Sequence, residues 1–366
     1  MLFFITISIY FLLLLWMAFG FVAHKKFESN AVNSETEFSI IVCARNESLN
    51  IEECLSSIIK QNYNISNYEI IFVNDASTDD TLKIAKEILK NSTCNYQIIS
   101  NATRSGKKAA IKKAIELAKY NLIVTRDADT FSLTTNWLST ISDFYNHSKN
   151  EFIICPVVVK SQNNLLSVLQ ETESAVLTIF TTASVYHQVP FLCSGANLVF
   201  TKSIFYRTGA YKNHIQIESG DDVFFLEDVK KVDPGIITYL KNSNAAVLTT
   251  PQNTFYSLLQ QKARWAGKLK HSKNPLNWLV ALVVAGANAL FAVCLVLAIL
   301  NPKYRLFALI FVFSKLLIDI LLVFLASRFV KIEASLILTL LAGFLYPFYA
   351  LVVAIGSVFI KPNWKL

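Results

Sequence analysis

Hydrophobic residues are distributed very unevenly along this chain. Long and almost wholly apolar segments cover residues 2–23, 276–300, 306–327 and 334–360. At a rise of ~1.5 Å per residue, each segment is long enough to cross a hydrocarbon core that is ~30 Å thick. The pattern therefore predicts one membrane-spanning helix before a more polar middle region and three spanning helices after it.

The first apolar segment has a second interpretation, because a secretory signal peptide also contains an apolar run. However, no basic stretch precedes this segment, and it is longer than the apolar part of a signal peptide. His24, Lys25 and Lys26 follow it directly, and basic residues collect on the cytoplasmic side of spanning helices. We therefore expect an uncleaved anchor whose C-terminal end faces the cytoplasm.

The third apolar segment contains two charged residues, Lys315 and Asp319, which stand one helical turn apart. Ionisable groups inside a membrane span either pair with one another or mark a polar path. The sequence allows both interpretations, a structural ion pair and a functional path.

Strand-like and helix-like segments alternate through the first part of the middle region. Short β-branched runs predict strands, and apolar residues at helical spacing predict helices. The predicted strands are 38–42, 69–73, 96–99 and 122–124, and the predicted helices are 51–61, 81–89 and 107–119. This alternation predicts an α/β fold with a parallel, doubly wound sheet. Ligands of such sheets bind beyond the carboxyl ends of the strands, where Asp75 and Asp127 stand.

The pattern is less regular beyond residue 150. It predicts a strand over 153–159 and a helix over 165–183, and residues 198–200 form a short apolar run. Residues 251–270 have the pattern of an amphipathic helix that leads to the bilayer.

Composition narrows the possible partners of the chain. Apolar residues make up 53% of it and the net charge is +8. The basic residues flank the predicted spans and do not cluster with aromatic residues, so nucleic acid is not an expected partner. The six cysteines show no Cys-x-x-Cys spacing, which favours reduced, structural thiols over a zinc site or a disulfide framework.

Asp127 and Asp129 form the first string of residues that could bind a ligand or take part in a reaction. In an extended segment, this spacing points both carboxylates the same way. A divalent ion such as Mg²⁺ or Mn²⁺ would relieve their repulsion and would neutralise a diphosphate leaving group. A solvated acidic turn is the alternative interpretation.

Asp221 and Asp222 form the second string. Asp222 could act as a general base that takes a proton from an acceptor hydroxyl, and the neighbouring carboxylate could raise its pKa. The alternative is a turn or the start of a helix, where acidic residues are common.

Gln261, Arg264 and Trp265 form the third string, on one face of the predicted amphipathic helix. Arginine suits bidentate contact with phosphate, and an indole face suits stacking against a sugar. The alternative is an interfacial helix with a snorkelling arginine and a tryptophan at the membrane surface.

Together these strings resemble the family 2 glycosyltransferases of the GT-A fold over roughly residues 38–270. The matching segments are 39–47, 73–79, 106–110, 127–129, 195–197 and 221–222. Residues 261–265 match the Gln-x-x-Arg-Trp string of membrane synthases for cellulose, chitin and hyaluronan. The apolar pattern and the resemblance together divide the chain into an anchor over 1–24, a GT-A domain over 37–248, an interface helix over 249–274 and a C-terminal transmembrane region over 275–366.

The resemblance also implies roles for individual residues. The residues expected to bind the nucleotide-sugar donor are Arg45, Glu47, Asp75, Lys107, Asp127, Gln261 and Arg264. Asp127 and Asp129 are expected to hold Mg²⁺ or Mn²⁺, and Asp222 is the expected catalytic base. The expected acceptor-side residues are Gly195, Asn197, Asp221 and Trp265.

These roles imply an integral membrane enzyme with a cytoplasmic catalytic domain. It would transfer a sugar, with inversion, from a UDP-sugar to a lipid or glycan acceptor at the membrane. The alternative is a processive polysaccharide synthase, which would need an oligomer or an auxiliary subunit because such synthases usually have more than four spans. A membrane scaffold without activity is a third hypothesis, and the presence of all the key carboxylates argues against it.

Overall fold

The computed structural model describes residues 2–29, 35–162, 164–212, 220–271, 275–329 and 335–359. The first seven helices are α1 (Leu2–Ala23), α2 (Ile51–Ile59), α3 (Thr81–Lys90), α4 (Lys107–Leu117), α5 (Trp137–Ser148), α6 (Leu165–Tyr186) and α7 (Lys202–Arg207). Five more follow, namely α8 (Asp221–Val232), α9 (Phe255–His271), α10 (Pro275–Leu300), α11 (Arg305–Ser327) and α12 (Leu336–Phe359). Ser219, next to the second acidic string, lies outside the described residues.

Ten strands in the described part of the chain form two sheets. They are β1 (Phe38–Ala44), β2 (Tyr68–Asp75), β3 (Asn95–Asn101), β4 (Leu122–Asp127), β5 (Thr130–Ser132), β6 (Phe152–Ile154), β7 (Val157–Val159), β8 (Asn197–Thr201), β9 (Ile237–Tyr239) and β10 (Val247–Thr249). The large sheet has the order β3-β2-β1-β4-β8-β6-β9, and the small sheet has the order β5-β10-β7. The predicted α/β fold is confirmed, and the first four predicted strands all form.

The large sheet is mixed and not wholly parallel. Strands β3, β2, β1 and β4 are parallel neighbours, whereas β8 runs antiparallel to both β4 and β6. Periodicity along one strand does not reveal the direction of its neighbour, so the sequence predicted only the parallel half correctly.

Apolar residues alternate between the two faces of the large sheet and build a core on each side. On β1, Ile40 and Val42 pack into a cluster with α2 and α5, while Ile41 packs into a second cluster with α4 and α8. All three side chains are buried. Strands covered on both faces read as continuous hydrophobic runs, which is why these strands could be predicted from sequence.

Two predicted elements differ from the structure. The predicted strand over 153–159 is broken into β6 and β7 by Cys155 and Pro156. Proline has no N–H to donate to a strand neighbour, and the chain passes from the large sheet to the small sheet at this point. The predicted helix over 251–270 begins later, at Phe255.

Among the described residues, four helices are long and apolar enough to cross a membrane, as predicted. Their candidate spans are Ile5–Ala23, Pro275–Leu300, Arg305–Ser327 and Leu336–Gly356. Within α11, Lys315 Nζ lies 2.6 Å from Asp319 Oδ2, so these two residues form an ion pair. Tyr10 on α1 donates a hydrogen bond of 2.7 Å to the other carboxylate oxygen of Asp319. This contact links the first and third spans.

The anchor helix α1 packs closely against α6 of the middle region. A Cβ atom at Gly20 would lie 2.9 Å from the backbone of Ala183 and 2.7 Å from His187 Nε2, so only glycine allows this approach. His187 also stacks on Trp16, with the ring centroids 4.5 Å apart. Helix α1 is therefore packed directly against the fold of the middle region.

Lys241 fastens the C-terminal end of α1 to the α/β domain. Its ammonium group donates to the backbone carbonyls of Phe21 and His24. These carbonyls have no partner within the helix, and a cation also suits the negative end of the helix dipole. The ammonium lies 3.9 Å from the centre of the Phe21 ring, and burial lowers the pKa of Lys241.

We expect Lys241→Met to lower stability, because the substitution keeps the length of the side chain but leaves buried carbonyls without a donor. The expected loss is about 1–3 kcal/mol, measured as a lower thermal midpoint of the full chain in detergent. Lys112→Met is the matched control, since Lys112 forms an exposed pair with Glu116 at 4.0 Å and such pairs contribute little. Equal midpoints for the two variants would contradict the role of Lys241.

Candidate functional site

The predicted donor-side residues gather at the carboxyl ends of the parallel strands. Asp75 is the last residue of β2 and Asp127 is the last residue of β4. These strands lie on either side of β1, where Cys43 pairs with both Val73 and Asp127. The topology therefore brings together residues that are far apart in sequence.

Asp75 is held by the loop that leads into α4. Its Oδ1 accepts hydrogen bonds from Ser105 N at 2.7 Å, Ser105 Oγ at 2.8 Å and Asn101 Nδ2 at 3.1 Å, and Oδ2 accepts from Gly106 N at 2.9 Å. Burial alone would raise the pKa of Asp75, but these bonds outweigh it and lower the pKa. Ionised Asp75 thus stabilises the loop at neutral pH, and this stabilisation is lost as the pH falls through the folded-state pKa.

Arg45 connects the loop after β1 to the loop after β2. Its Nη1 donates to the carbonyl of Asp75 at 3.0 Å and to that of Ala76 at 3.1 Å. Ala76 has a φ of 55°, a left-handed conformation that is uncommon for residues other than glycine. Arg45 therefore supports an unusual turn at the edge of the site.

Glu47 lies in the same pair of loops and is half-buried. Its backbone N donates to Thr81 Oγ1 at 2.8 Å, and its carboxylate accepts from Asn50 at 2.8 Å. The neighbouring Asn46 accepts from Thr78 N at 2.9 Å. These contacts make one rigid unit of the two loops that flank Asp75.

Lys107 connects carboxylates from two different elements. It is the first residue of α4, and its ammonium lies 2.7 Å from Asp127 Oδ1 and 3.0 Å from Asp221 Oδ2. Burial would lower the pKa of Lys107, but the charges of Asp127, Asp221 and Asp222 raise it well above its ordinary value. The side chain is 32% exposed, and the raised pKa keeps its ammonium charged.

Asp222 stands beside the predicted acceptor loop. Both Asp221 and Asp222 are buried in the first turn of α8, where the helix dipole favours negative charge. Asp222 Oδ2 accepts from the backbone N of Gly195 at 3.3 Å, and Cys193 Sγ lies 3.3 Å from the carbonyl of Asp222. The second string is thus both a helix start, as the alternative interpretation held, and part of the cluster around Lys107.

Gly195 occupies a position with no room for a larger residue. A Cβ atom there would lie 2.9 Å from Asp221 Oδ2 and 3.3 Å from Lys107 Nζ. The absence of a side chain at this position therefore allows the acceptor loop to approach the lysine and the two carboxylates.

The first acidic string forms a turn and not the extended segment that the sequence suggested. Strand β4 ends at Asp127 and β5 begins at Thr130, so Ala128 and Asp129 connect two strands. Ala128 is buried in the core, whereas Asp127 and Asp129 are half-buried. Thr130 Oγ1 donates to the carbonyl of Asp127 at 2.7 Å and fixes the turn.

This turn fits a divalent ion that is shared with a substrate. The described residues contain no group of three or more His, Cys, Asp or Glu side chains placed to hold a metal. Mg²⁺ is usually held by only one or two carboxylates, with water and substrate phosphate completing its shell. The turn carries two half-buried carboxylates, those of Asp127 and Asp129, and their number agrees with that kind of site.

A buried arginine, Arg126, which the sequence analysis missed, holds the turn by hydrogen bonds to the strand that follows it. Arg126 is 1% exposed and lies over the ring of Trp137 at 4.6 Å. It donates to Thr130 Oγ1 at 3.3 Å and to Ser132 Oγ at 2.9 Å. Burial lowers its pKa to about 10. The sequence signal was a charged residue inside a strand that is otherwise buried.

Asn197 is placed differently from its predicted role. Its side chain is fully buried and donates to the carbonyls of Pro156 and Ala245, each at 2.8 Å. Its Oδ1 accepts from Trp137 Nε1 at 3.1 Å. In this conformation the Asn197 side chain joins the two sheets and does not face an acceptor.

The third string lies on α9, and its residues have different surroundings. Arg264 is half-buried, and burial lowers its pKa while the charge of Asp129 acts in the opposite direction. Gln261 is half-buried, and Trp265 is 43% exposed. Lys262 Nζ lies 4.0 Å from the centre of the Trp265 ring. One face of the indole is therefore covered, which limits stacking to the other face.

The predicted residues thus converge in three connected groups. Lys107 joins Asp127 to Asp221 and Asp222, Asp129 interacts electrostatically with Arg264, and Asp75 lies at the adjacent strand end.

Comparison with known proteins identifies the family of the part of the chain that carries Asp75, Lys107 and Asp127. The model of the family described as glycosyl transferase family 2 matches residues 39–207, which contain Asp75, Lys107, Asp127 and Gly195. Residues 39–207 therefore form a family 2 glycosyltransferase domain. The match ends before α8 and α9, so it does not test the roles of Asp222 or of the Gln-x-x-Arg-Trp string.

Relatives of this glycosyltransferase domain include synthases of polysaccharides. A poly-beta-1,6-N-acetyl-D-glucosamine synthase from Staphylococcus epidermidis is 28% identical over 137 residues, which cover 37% of this chain and 32% of that protein. An uncharacterized glycosyltransferase from Haemophilus influenzae is 28% identical over 200 residues, covering 52% of this chain and 58% of that protein. The chain thus matches about a third of the length of the first relative.

A solved structure shares the fold over nearly the whole chain. The mannosyltransferase PcManGT from Pyrobaculum calidifontis, solved in complex with GDP-Man and Mn2+, aligns with a TM-score of 0.59 and 15% identity over 97% of each chain. This likeness shows the fold alone. With the family match, it confirms the predicted GT-A fold with one N-terminal and three C-terminal apolar helices.

We expect Gly195→Ala in this glycosyltransferase domain to lower transfer activity by about 10- to 100-fold, because small displacements of reacting groups are costly. The added methyl group would push apart Lys107 and Asp221. Gly267→Ala is the matched control, since a Cβ atom at Gly267 meets no atom within 4 Å. Activity per folded protein is the measurement, and equal activities for both variants would contradict the tight approach at Gly195.

Proposed function

We propose that this protein is a membrane-bound, inverting glycosyltransferase that uses a nucleotide-diphospho-sugar, with UDP-sugar as the expected donor. The observation that carries the proposal is the convergence of carboxylates from β4 and α8 around Lys107, together with the interaction between Asp129 and Arg264. A structural turn or helix start would not need residues from these distant parts of the chain to meet.

The donor would lie along the carboxyl ends of β2 and β4. We assign Asp75, Arg45 and Glu47 to the nucleoside side, where their loops are already fixed. Asp127 and Asp129 would hold Mg²⁺ or Mn²⁺, which neutralises the diphosphate when bound. Lys107, Gln261 and Arg264 would contact the phosphate oxygens, and arginine is well suited to this contact. Binding of a nucleotide sugar together with a metal ion agrees with the complex of PcManGT with GDP-Man and Mn2+.

The acceptor would approach between the Gly195 loop and Trp265. Its hydroxyl oxygen forms the new bond to the anomeric carbon while the bond from that carbon to the diphosphate breaks. The carboxylate of Asp222 takes the hydroxyl proton, which requires hydrogen-bond reach to the acceptor. Asn197 would hold the acceptor loop in place from below, and the exposed face of Trp265 would contact the sugar.

The proposed acceptor is a lipid or glycan at the membrane. The four apolar helices support membrane attachment, and the catalytic domain follows the basic residues after α1. Since basic residues mark the cytoplasmic side, we propose a cytoplasmic active site with access to cytosolic nucleotide sugars.

A processive synthase is the second candidate, favoured by the similarity to the Staphylococcus epidermidis synthase. The two candidates differ in product length, which gel analysis of labelled product from the purified chain measures. Additions of one or a few sugars support the first candidate, and a long polymer supports the second.

Asp222→Asn is the direct test of the proposed reaction. The substitution keeps the shape of the side chain but removes its ability to take a proton, so we expect UDP affinity to change less than about threefold while transfer falls by at least about 100-fold. Calorimetry with UDP and Mn²⁺ measures the first quantity, and UDP release in the presence of acceptor membranes measures the second. Full transfer activity in this variant would refute the assignment of the base.

A further inference from the structure

Lys262, inside the third string, points away from the proposed donor site and into a buried ion pair. Its Nζ lies 2.5 Å from Glu173 Oε2 on α6, and the Lys262 side chain is only 7% exposed. The same ammonium covers one face of Trp265. Lys262 is thus fixed on two sides.

Glu173 in turn contacts the membrane-spanning region. Tyr349 on α12 donates to Glu173 Oε2 at 3.3 Å. Polar contacts therefore run from Lys262 on α9 through Glu173 on α6 to Tyr349 on α12.

Because both residues lie on α9, the ion pair of Lys262 also fixes the direction in which the Arg264 side chain projects. At ~100° per residue, Arg264 projects about 200° away from Lys262 around the axis of α9. When Lys262 is held against α6, Arg264 is therefore directed to the opposite side, towards Asp129. Losing one partner of a buried ion pair leaves the other without compensation, so the rotation of α9 would no longer be fixed.

We propose that Glu173 is a positioning residue, which holds α9 through Lys262 so that Arg264 meets the diphosphate of the donor. The inference rests on the proposed function for the identity of that ligand. The contacts of Glu173 with α12 mean that the transmembrane region takes part in placing a donor-binding residue.

The test compares the binding of UDP and UMP, because only UDP has the outer phosphate that Arg264 is proposed to contact. The probe is calorimetric titration of the full-length protein in detergent with Mn²⁺. We expect Glu173→Gln to weaken UDP binding about tenfold and UMP binding less than twofold. Arg264→Ala should show the same selective loss, and the double variant should be no weaker than Arg264→Ala, because residues that act through one another are not additive.

Two comparisons control for general damage. Glu151→Gln breaks a different ion pair, with Arg207 at 2.5 Å, and should change neither affinity. Lys262→Arg should keep the affinity ratio, whereas Lys262→Met should behave like Glu173→Gln. If Glu173→Gln is not recovered as folded protein, the two Lys262 variants test the same ion pair from its other side.

Equal losses for UDP and UMP in Glu173→Gln, or additive losses with Arg264→Ala, would overturn the inference. The outcome is separate from that of the proposed function. A wild-type protein that binds UDP but transfers no sugar would contradict the function, while the affinity ratio would still decide the role of Glu173.

Discussion

The candidate site depends on one cation that several carboxylates share. Asp127 comes from β4, and Asp221 and Asp222 come from α8, so their negative charges meet only because the fold forces them together. Such charges repel strongly when they are partly removed from water. Lys107 offsets this repulsion. The same attraction between its ammonium and the carboxylates raises the pKa of Lys107. Gly195 allows the contact by leaving the space a side chain would fill.

The sequence predicted most of what depends on local pattern. The strands that carry Asp75 and Asp127 are continuous apolar runs because both of their faces are covered, and the acidic residues mark their ends. The antiparallel direction of β8 depends on its neighbours, and the break at Pro156 depends on a change of sheet, so neither could be predicted from periodicity.

Side-chain partners were harder to predict than positions. The sequence indicated a polar role for Asp75 and for Asn197 but not their partners. The structure shows that Ser105 and Gly106 donate hydrogen bonds to the Asp75 carboxylate. It also shows that the Asn197 side chain donates to two backbone carbonyls. Arg126 and Glu173 have partners that the sequence pattern did not indicate. A buried charge implies that a partner exists, yet it does not say which residue that partner is.

The cap that Lys241 places on α1 has a geometric consequence for any substrate in the bilayer. Because the last turn of α1 is bonded directly to the α/β domain, and α6 packs along the same helix, the candidate site stands at a fixed distance from the first apolar helix. An acceptor carried by a lipid would have to present its hydroxyl at that distance. Only lipid carriers whose headgroup has the matching length would then bring their hydroxyl group to the site.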